Sequence, residues 1–193
     1  TDARRDRECI NGYGPDMGCG YAALVAGKLL AANIDREFCC INRGISGNRV
    51  VDLYARWKID ALNLKPDLLS ILIGVNDTWH HAAERNWIPN EVFEERYRTV
   101  LSAIKEKTNA KIIMLEEFLI PVPQRAHWRV DVDSKIGITR KLAMEFADVY
   151  VPLDGLLHAH CVDAYPIAWS HDGVHPTEAA ARLIAGYYAD AFE

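Results

Sequence analysis

The sequence predicts an α/β fold built on a parallel sheet, and three observations carry that prediction. Leu68-Leu69-Ser70-Ile71-Leu72-Ile73-Gly74 is nearly continuous in apolar residues, as expected of a strand covered by helices on both faces. Segments with apolar residues at helical spacing alternate with short apolar runs along the chain. The helical segments, roughly 10 to 15 residues each, suit right-handed crossovers that place helices on both sides of such a sheet.

The elements follow in order. Ala22, Val25, Ala26, Leu29 and Leu30 form the stripe of a helix over 20–32. Phe38-Cys39-Cys40-Ile41 reads as a strand, closed by the turn-forming stretch Asn42-Arg43-Gly44-Ile45-Ser46-Gly47-Asn48. Val50, Leu53, Tyr54, Trp57 and Ala61 share one helical face, and Pro66 blocks extension of that helix. After the strand at 68–74 and a polar loop, Phe93, Tyr97, Val100, Leu101 and Ile104 mark another helix. Strand Lys111–Leu115, a helix over 133–147, strand Val149-Tyr150-Val151 and a last helix with Ala180, Leu183, Ile184, Tyr187 and Tyr188 complete the pattern.

Composition narrows the function classes. The 193 residues suffice for one domain with a sizeable core, and half of them are hydrophobic. A net charge of -5, with no Lys/Arg block interleaved with aromatics, disfavours nucleic acid as a partner. No apolar run is long enough for a membrane span, and assembly into homo-oligomers is left open. Five cysteines without a disulfide-scaffold spacing point to reduced thiols and a cytoplasmic setting.

In parallel sheets ligands bind beyond the carboxyl ends of the strands, so the loops after Ile41, Ile73, Leu115 and Val151 should share one rim. Asp172 and His175 stand three residues apart just before the last helix. Neutral imidazole can take a hydroxyl proton near pH 7, and a carboxylate on its other nitrogen fixes the tautomer. The plainer alternative is a turn at Asp172-Gly173 with His175 at a helix start. Asn76, after the buried strand, could donate to a developing oxyanion, or only make a turn. Gly47 could offer its amide to the same oxyanion. Gly44-Ile45-Ser46-Gly47-Asn48 nearly spells a Gly-x-Ser-x-Gly nucleophile turn, with Asn48 in the final Gly position, which makes Ser46 a rival nucleophile.

Other features read as structural. His158-Ala159-His160-Cys161 and His80-His81 lack a matching second cluster for a metal. Gly12, Gly14, Gly18 and Gly20 precede a helix, but no strand leads into them and the dinucleotide-loop spacing is not met. Trp79, Trp87, Phe118 and Trp128 could stack on a sugar, line an acyl pocket, or anchor their loops.

Taken in order, Gly47, Asn76, Asp172 and His175 resemble the SGNH, or GDSL-type, serine hydrolase family. Asn42 to Asn48, Ile73-Gly74-Val75-Asn76-Asp77-Thr78-Trp79 and Ala168-Trp169 look most like its acetylxylan esterase branch. The resemblance spans essentially the whole chain. It implies a three-layer α/β/α sandwich with a flavodoxin-like sheet, an acyl-enzyme mechanism without metal or organic cofactor, and a small-molecule or xylo-oligosaccharide ester as substrate. It also implies roles: His175 as base, Asp172 as its orienter, and Gly47 and Asn76 in the oxyanion hole. In the family the nucleophile lies in a Gly-Asp-Ser block, often continued by Ile-Thr-Asp, and Thr1-Asp2-Ala3-Arg4-Arg5 looks like that continuation alone, so the nucleophilic serine is expected upstream of Thr1. The expectation is therefore a natural polypeptide starting about 10 residues earlier, one strand and its turn. Rival expectations are a thioesterase or lysophospholipase of the same architecture, and a sugar-binding pseudoenzyme.

Overall fold

The computed structural model describes residues 3–6 and 17–191. The chain divides into two compact units, one running from Gly47 to His175 and the other formed by the described residues on either side of it.

The 47–175 unit is built on three parallel strands in the order β1-β2-β3: β1 Leu68–Leu72, β2 Lys111–Leu115 and β3 Val149–Val151. In register, Leu69 faces Ile112, Ile71 faces Met114, and Met114 faces Tyr150. Alternation sends Ile112 and Met114 to one face and Ile113 and Leu115 to the other, and all four are fully buried. Both faces of the central strand are therefore covered, which is why it reads as an unbroken apolar run.

The face carrying Ile71, Ile112 and Met114 meets helices α2 (Val50–Asp60), α4 (Asn90–Lys107) and α5 (Arg129–Phe146). The predicted stripe of α4 is the one it buries: Phe93, Tyr97, Val100, Leu101 and Ile104 are all at most 1% exposed. On α2, Val50 and Trp57 are buried but Tyr54 points to solvent, so the buried face is narrower than the spacing suggests. Two further helices follow strands at the rim: α3 (Val75–Trp79) and α6 (Leu153–Asp163).

In the other unit, α1 (Tyr21–Ala32) packs against α7 (Glu178–Asp190), with Tyr21, Val25 and Ala26 buried on the first and Ala181, Ile184 and Tyr188 on the second. The Thr177 hydroxyl accepts the Ala180 N–H and opens α7. Arg5 donates twice to the Gly44 carbonyl, at 3.1 and 2.7 Å, and Asn42 donates to Met17 O at 3.0 Å.

The strand expected at Phe38–Ile41 is not one: these residues have no regular structure, and Cys39 and Ile41 are exposed. An apolar run becomes a strand only when a neighbouring segment takes its N–H and C=O groups, and among the described residues none does. Gly12 and Gly14 lie outside the described residues; Gly18 and Gly20 sit in the irregular segment before α1, Gly20 in a bend. Among the described residues, Cys19, Cys39, Cys40 and Cys161 are free thiols, and no helix is long and apolar enough to cross a membrane.

Candidate active site

The residues from Ser170 to His175 make a loop closed by its own hydrogen bonds. The buried Ser170 hydroxyl accepts the Gly173 N–H and donates to the His175 carbonyl, both at 2.8 Å. Asp172 Oδ1 accepts the N–H groups of Val174 at 3.1 Å and His175 at 2.9 Å. Its second oxygen, Oδ2, lies 2.7 Å from His175 Nδ1. A carboxylate there calls for a proton on Nδ1, which leaves the Nε2 lone pair free on a side chain that is 69% exposed. Partial burial pushes the Asp172 carboxyl upward, but the His175 and Val174 amides and the His175 ring outweigh it and hold the group well below the usual carboxylate range. Asp172 is therefore an anion throughout the working pH range.

Arg125 sits beside this pair. Its guanidinium lies 3.9 Å from the centre of the Trp79 ring and 4.6 Å from that of Trp128, and Nη1 is 3.1 Å from Asp172 Oδ2. Nη1 makes no aligned hydrogen bond, so its contact with Asp172 is one of charge rather than direction. Trp79 meets the His175 ring edge-on at 5.5 Å and Trp128 at 5.3 Å. Trp128 is buried with Ala82, Leu119, Val132, Ile136 and Val174, and the half-buried Trp87 packs against the same cluster.

The opposite side of the site is held by α3. Gly74 precedes this helix with φ +129°, and a Cβ there would come within 2.9 Å of the Glu117 carboxyl, so only glycine fits. Three side chains from the α3 turn then fasten the segment 47–50. Asn76 Nδ2 donates to Asn48 O at 3.1 Å, Asp77 Oδ2 accepts the Val50 N–H at 3.1 Å, and His80 Nε2 lies 3.0 Å from Gly47 O. Gly47 itself has φ +79°. Asn76 and Gly47 are thus brought together by direct bonds between their segments, and Asp172 and His175 by their own loop. Trp79, on the same short helix as Asn76, touches His175.

Behind the rim lie buried acids that the sequence reading did not single out. Burial raises Asp77 to about 6 despite the Val50 N–H, and its Oδ1 has no partner. Burial raises Glu117 to about 8, opposed by its own N–H and by the Thr139 hydroxyl, which donates to the carboxyl at 2.9 and 3.1 Å. Glu116 is satisfied by Arg140, Tyr150 and the Asp154 N–H. Runs such as Glu116-Glu117 after a strand were the available signal; nothing in the spacing of Arg125 announced its place between two tryptophans.

Of the histidines set aside as structural, His158 has local partners: it lies 2.8 Å from Asp154 O and 2.9 Å from Arg129 Nη2. Among the described residues no group of three His, Cys, Asp or Glu is placed to hold a metal. Ser46 is exposed in the turn leading to Gly47.

The chain as a whole is similar to known proteins. The GDSL-like Lipase/Acylhydrolase family matches residues 8–183. An acetylxylan esterase of Geobacillus stearothermophilus is 31% identical over 188 residues, covering 96% of this chain and 86% of that protein. Among solved structures, one described as a GDSL-like lipase from Parabacteroides merdae superposes with a TM-score of 0.92 at 36% identity, covering 99% of this chain and 90% of the other. The G. stearothermophilus acetylxylan esterase Axe2 gives 0.89 at 29% identity, covering 99% and 89%. The α/β fold with a parallel sheet is the fold of these relatives.

Proposed function

Because the chain belongs to the GDSL-like lipase/acylhydrolase family, we propose that it is a carboxylic ester hydrolase that removes acetyl groups from sugars through a serine acyl-enzyme. The observation that carries this reading is the 2.7 Å contact between His175 Nδ1 and the Asp172 carboxylate, with Nε2 turned outward. The acetylxylan esterase relative supports acetyl as the acyl group and a xylo-oligosaccharide as the alcohol.

The steps follow from these atoms. A serine hydroxyl attacks the ester carbonyl carbon while His175 Nε2 takes its proton, and Asp172 stabilises the imidazolium that forms. The carbonyl oxygen becomes an oxyanion. The Gly47 N–H and the second hydrogen on Asn76 Nδ2, the first being held by Asn48 O, donate to it. Collapse breaks the ester C–O bond, and His175 returns its proton to the departing sugar hydroxyl. Water then gives a proton to His175 and attacks the acyl-serine, and acetate leaves as the serine recovers its hydrogen. Trp79, beside His175, forms a wall of the acyl site; Trp128 holds Trp79 and Arg125 in place from below. The odd cysteine count without scaffold spacing supports a cytoplasmic setting for this activity.

The test uses the full natural polypeptide. It should hydrolyse acetylated xylo-oligosaccharide and p-nitrophenyl acetate faster than the octanoyl ester, and His175→Ala should remove turnover without changing the far-ultraviolet circular dichroism. Faster octanoyl turnover would favour a long-chain acylhydrolase, and binding without turnover a pseudoenzyme. Fluorophosphonate labelling with peptide mapping identifies the acylated serine, and an adduct on Ser46 would replace the nucleophile assignment.

A further inference from the structure

A cavity of about 380 Å³ opens within the 47–175 unit, walled by Arg49, His81, Asn86, Trp87, Val92 and Arg96 among others. Its size lies at the lower end of the roughly 300–1,000 Å³ typical of small-molecule sites. The chain as a whole carries a charge of -5, yet this wall holds two guanidiniums and an imidazole and no carboxylate. Arg49 is engaged by Asp52, at 3.0 Å. Arg96, half-buried on α4, has no hydrogen bond or ion pair with any described residue, and neither has the ring of His81. A guanidinium that no protein acceptor engages can receive a planar anion in exchange for water.

Position ties this cavity to the candidate active site. Arg49 follows Asn48, whose carbonyl Asn76 holds, and His81 follows His80, whose ring meets the Gly47 carbonyl. Trp87, Ile88 and Val92 line the same cavity and give it an apolar surface suited to the C–H face of a pyranose and of no use to a bare inorganic anion. We infer that the cavity is a subsite for a uronic acid residue attached next to the acetylated sugar, with Arg96 receiving the carboxylate as a bidentate pair and Trp87 packing on the ring. The inference rests on the esterase reading and narrows its substrate to acidic, acetylated oligosaccharides.

Two measurements on the full natural polypeptide test it. Hydrolysis of acetylated xylo-oligosaccharides bearing a uronic acid branch is compared with hydrolysis of the same oligosaccharides lacking it, and calorimetry follows binding of the branched, ester-free oligosaccharide. The acidic substrate should have a kcat/KM about tenfold higher, expressed in KM. Arg96→Gln should bring the ratio close to one and abolish calorimetric binding, while Arg96→Lys keeps part of both. Equal kcat/KM for the two substrates, or a preference that survives Arg96→Gln, overturns the subsite. Competition by inorganic phosphate as effective as that by the branched oligosaccharide would also overturn it, leaving a general anion site. Ester-free binding without turnover of any acetyl ester would defeat the esterase reading and leave the subsite standing.

Discussion

Arg125 Nη1 and His175 Nδ1 converge on a single oxygen, Oδ2 of Asp172, at 3.1 and 2.7 Å. The arginine is flanked by Trp79 and Trp128, so its charge is fixed in place by ring faces that contribute about 0.5–2 kcal/mol of cation–π attraction. It acts through Asp172 and is a positioning residue for His175.

Replacing Arg125 should therefore alter turnover more than affinity. Arg125→Ala is expected to lower kcat for an acetyl ester about tenfold, with a smaller change in KM. Arg125→Lys, which keeps the charge but not the planar stacking, should recover part of the loss. Steady-state kinetics of the two variants checks this, and an unchanged kcat in Arg125→Ala removes Arg125 from the catalytic arrangement.

Asp172→Asn keeps the loop nearly isosteric but loses the anion beside the imidazole. A fall in kcat on the order of 10³- to 10⁴-fold is expected. The thermal melt at neutral pH should also drop, because Oδ1 accepts two backbone N–H groups more weakly as an amide oxygen.

Glu117 gives the folded chain a pH dependence of its own. Burial raises it from 4.5 to about 8, so between these values the folded state keeps a proton that the unfolded state has released. Stability must then fall as pH rises through that window. Glu117→Gln, whose amide oxygen can still accept from Thr139, should flatten the slope and melt above the unaltered protein at pH 8. A parallel pair of melting curves across pH 5–8 would contradict this.

Asp148 works in the opposite sense. The Ile112 N–H at 2.9 Å and Lys111 at 3.1 Å, with Lys105 beyond them, hold it at about 2 against a free value of 3.8. Its stabilisation is complete above the free value and disappears as pH falls through 2. Asp148→Asn should cost about 1 kcal/mol at neutral pH in urea titration, and the difference should vanish near pH 2.

Gly74→Ala combines a backbone angle of +129° with a 2.9 Å approach to Glu117. Strain of about 1–3 kcal/mol is expected from the backbone alone. Since Gly74 O accepts the Asp77 N–H at the start of α3, the displaced turn should carry Asn76 with it and reduce turnover. Urea unfolding and acetyl-ester kinetics measure the two effects separately.

The parallel sheet at 68–72, 111–115 and 149–151 was legible because burial on both faces demands continuous apolar runs, and α4 and α7 because one buried face imposes helical spacing. Phe38–Ile41 misled for the same reason: an apolar run reports burial or local propensity, while strand formation depends on a partner elsewhere in the chain. Helix α6 was not read at all. It buries only Leu153 and Leu157, two residues one turn apart, which is too faint a period to register. At the site, Asp172 and His175 were visible because their contact is local. Arg125, Asp77 and His80 were not, since each acts on a residue 27 to 47 positions away.

The loop from Ser170 to His175 has one more implication. Its base and orienting acid lie within a single reverse bend held by the Ser170 and Asp172 side chains, with the Ile120 N–H on Gly173 O as its tie to the sheet, so their spacing is mainly a short-range property, comparable to the geometry of a turn in a peptide. Gentle warming or low urea should loosen the start of α4, which carries Arg96, and raise KM before it disturbs proton transfer. Heat inactivation would then proceed in two stages, with recognition fading first and chemistry failing only when the chain melts.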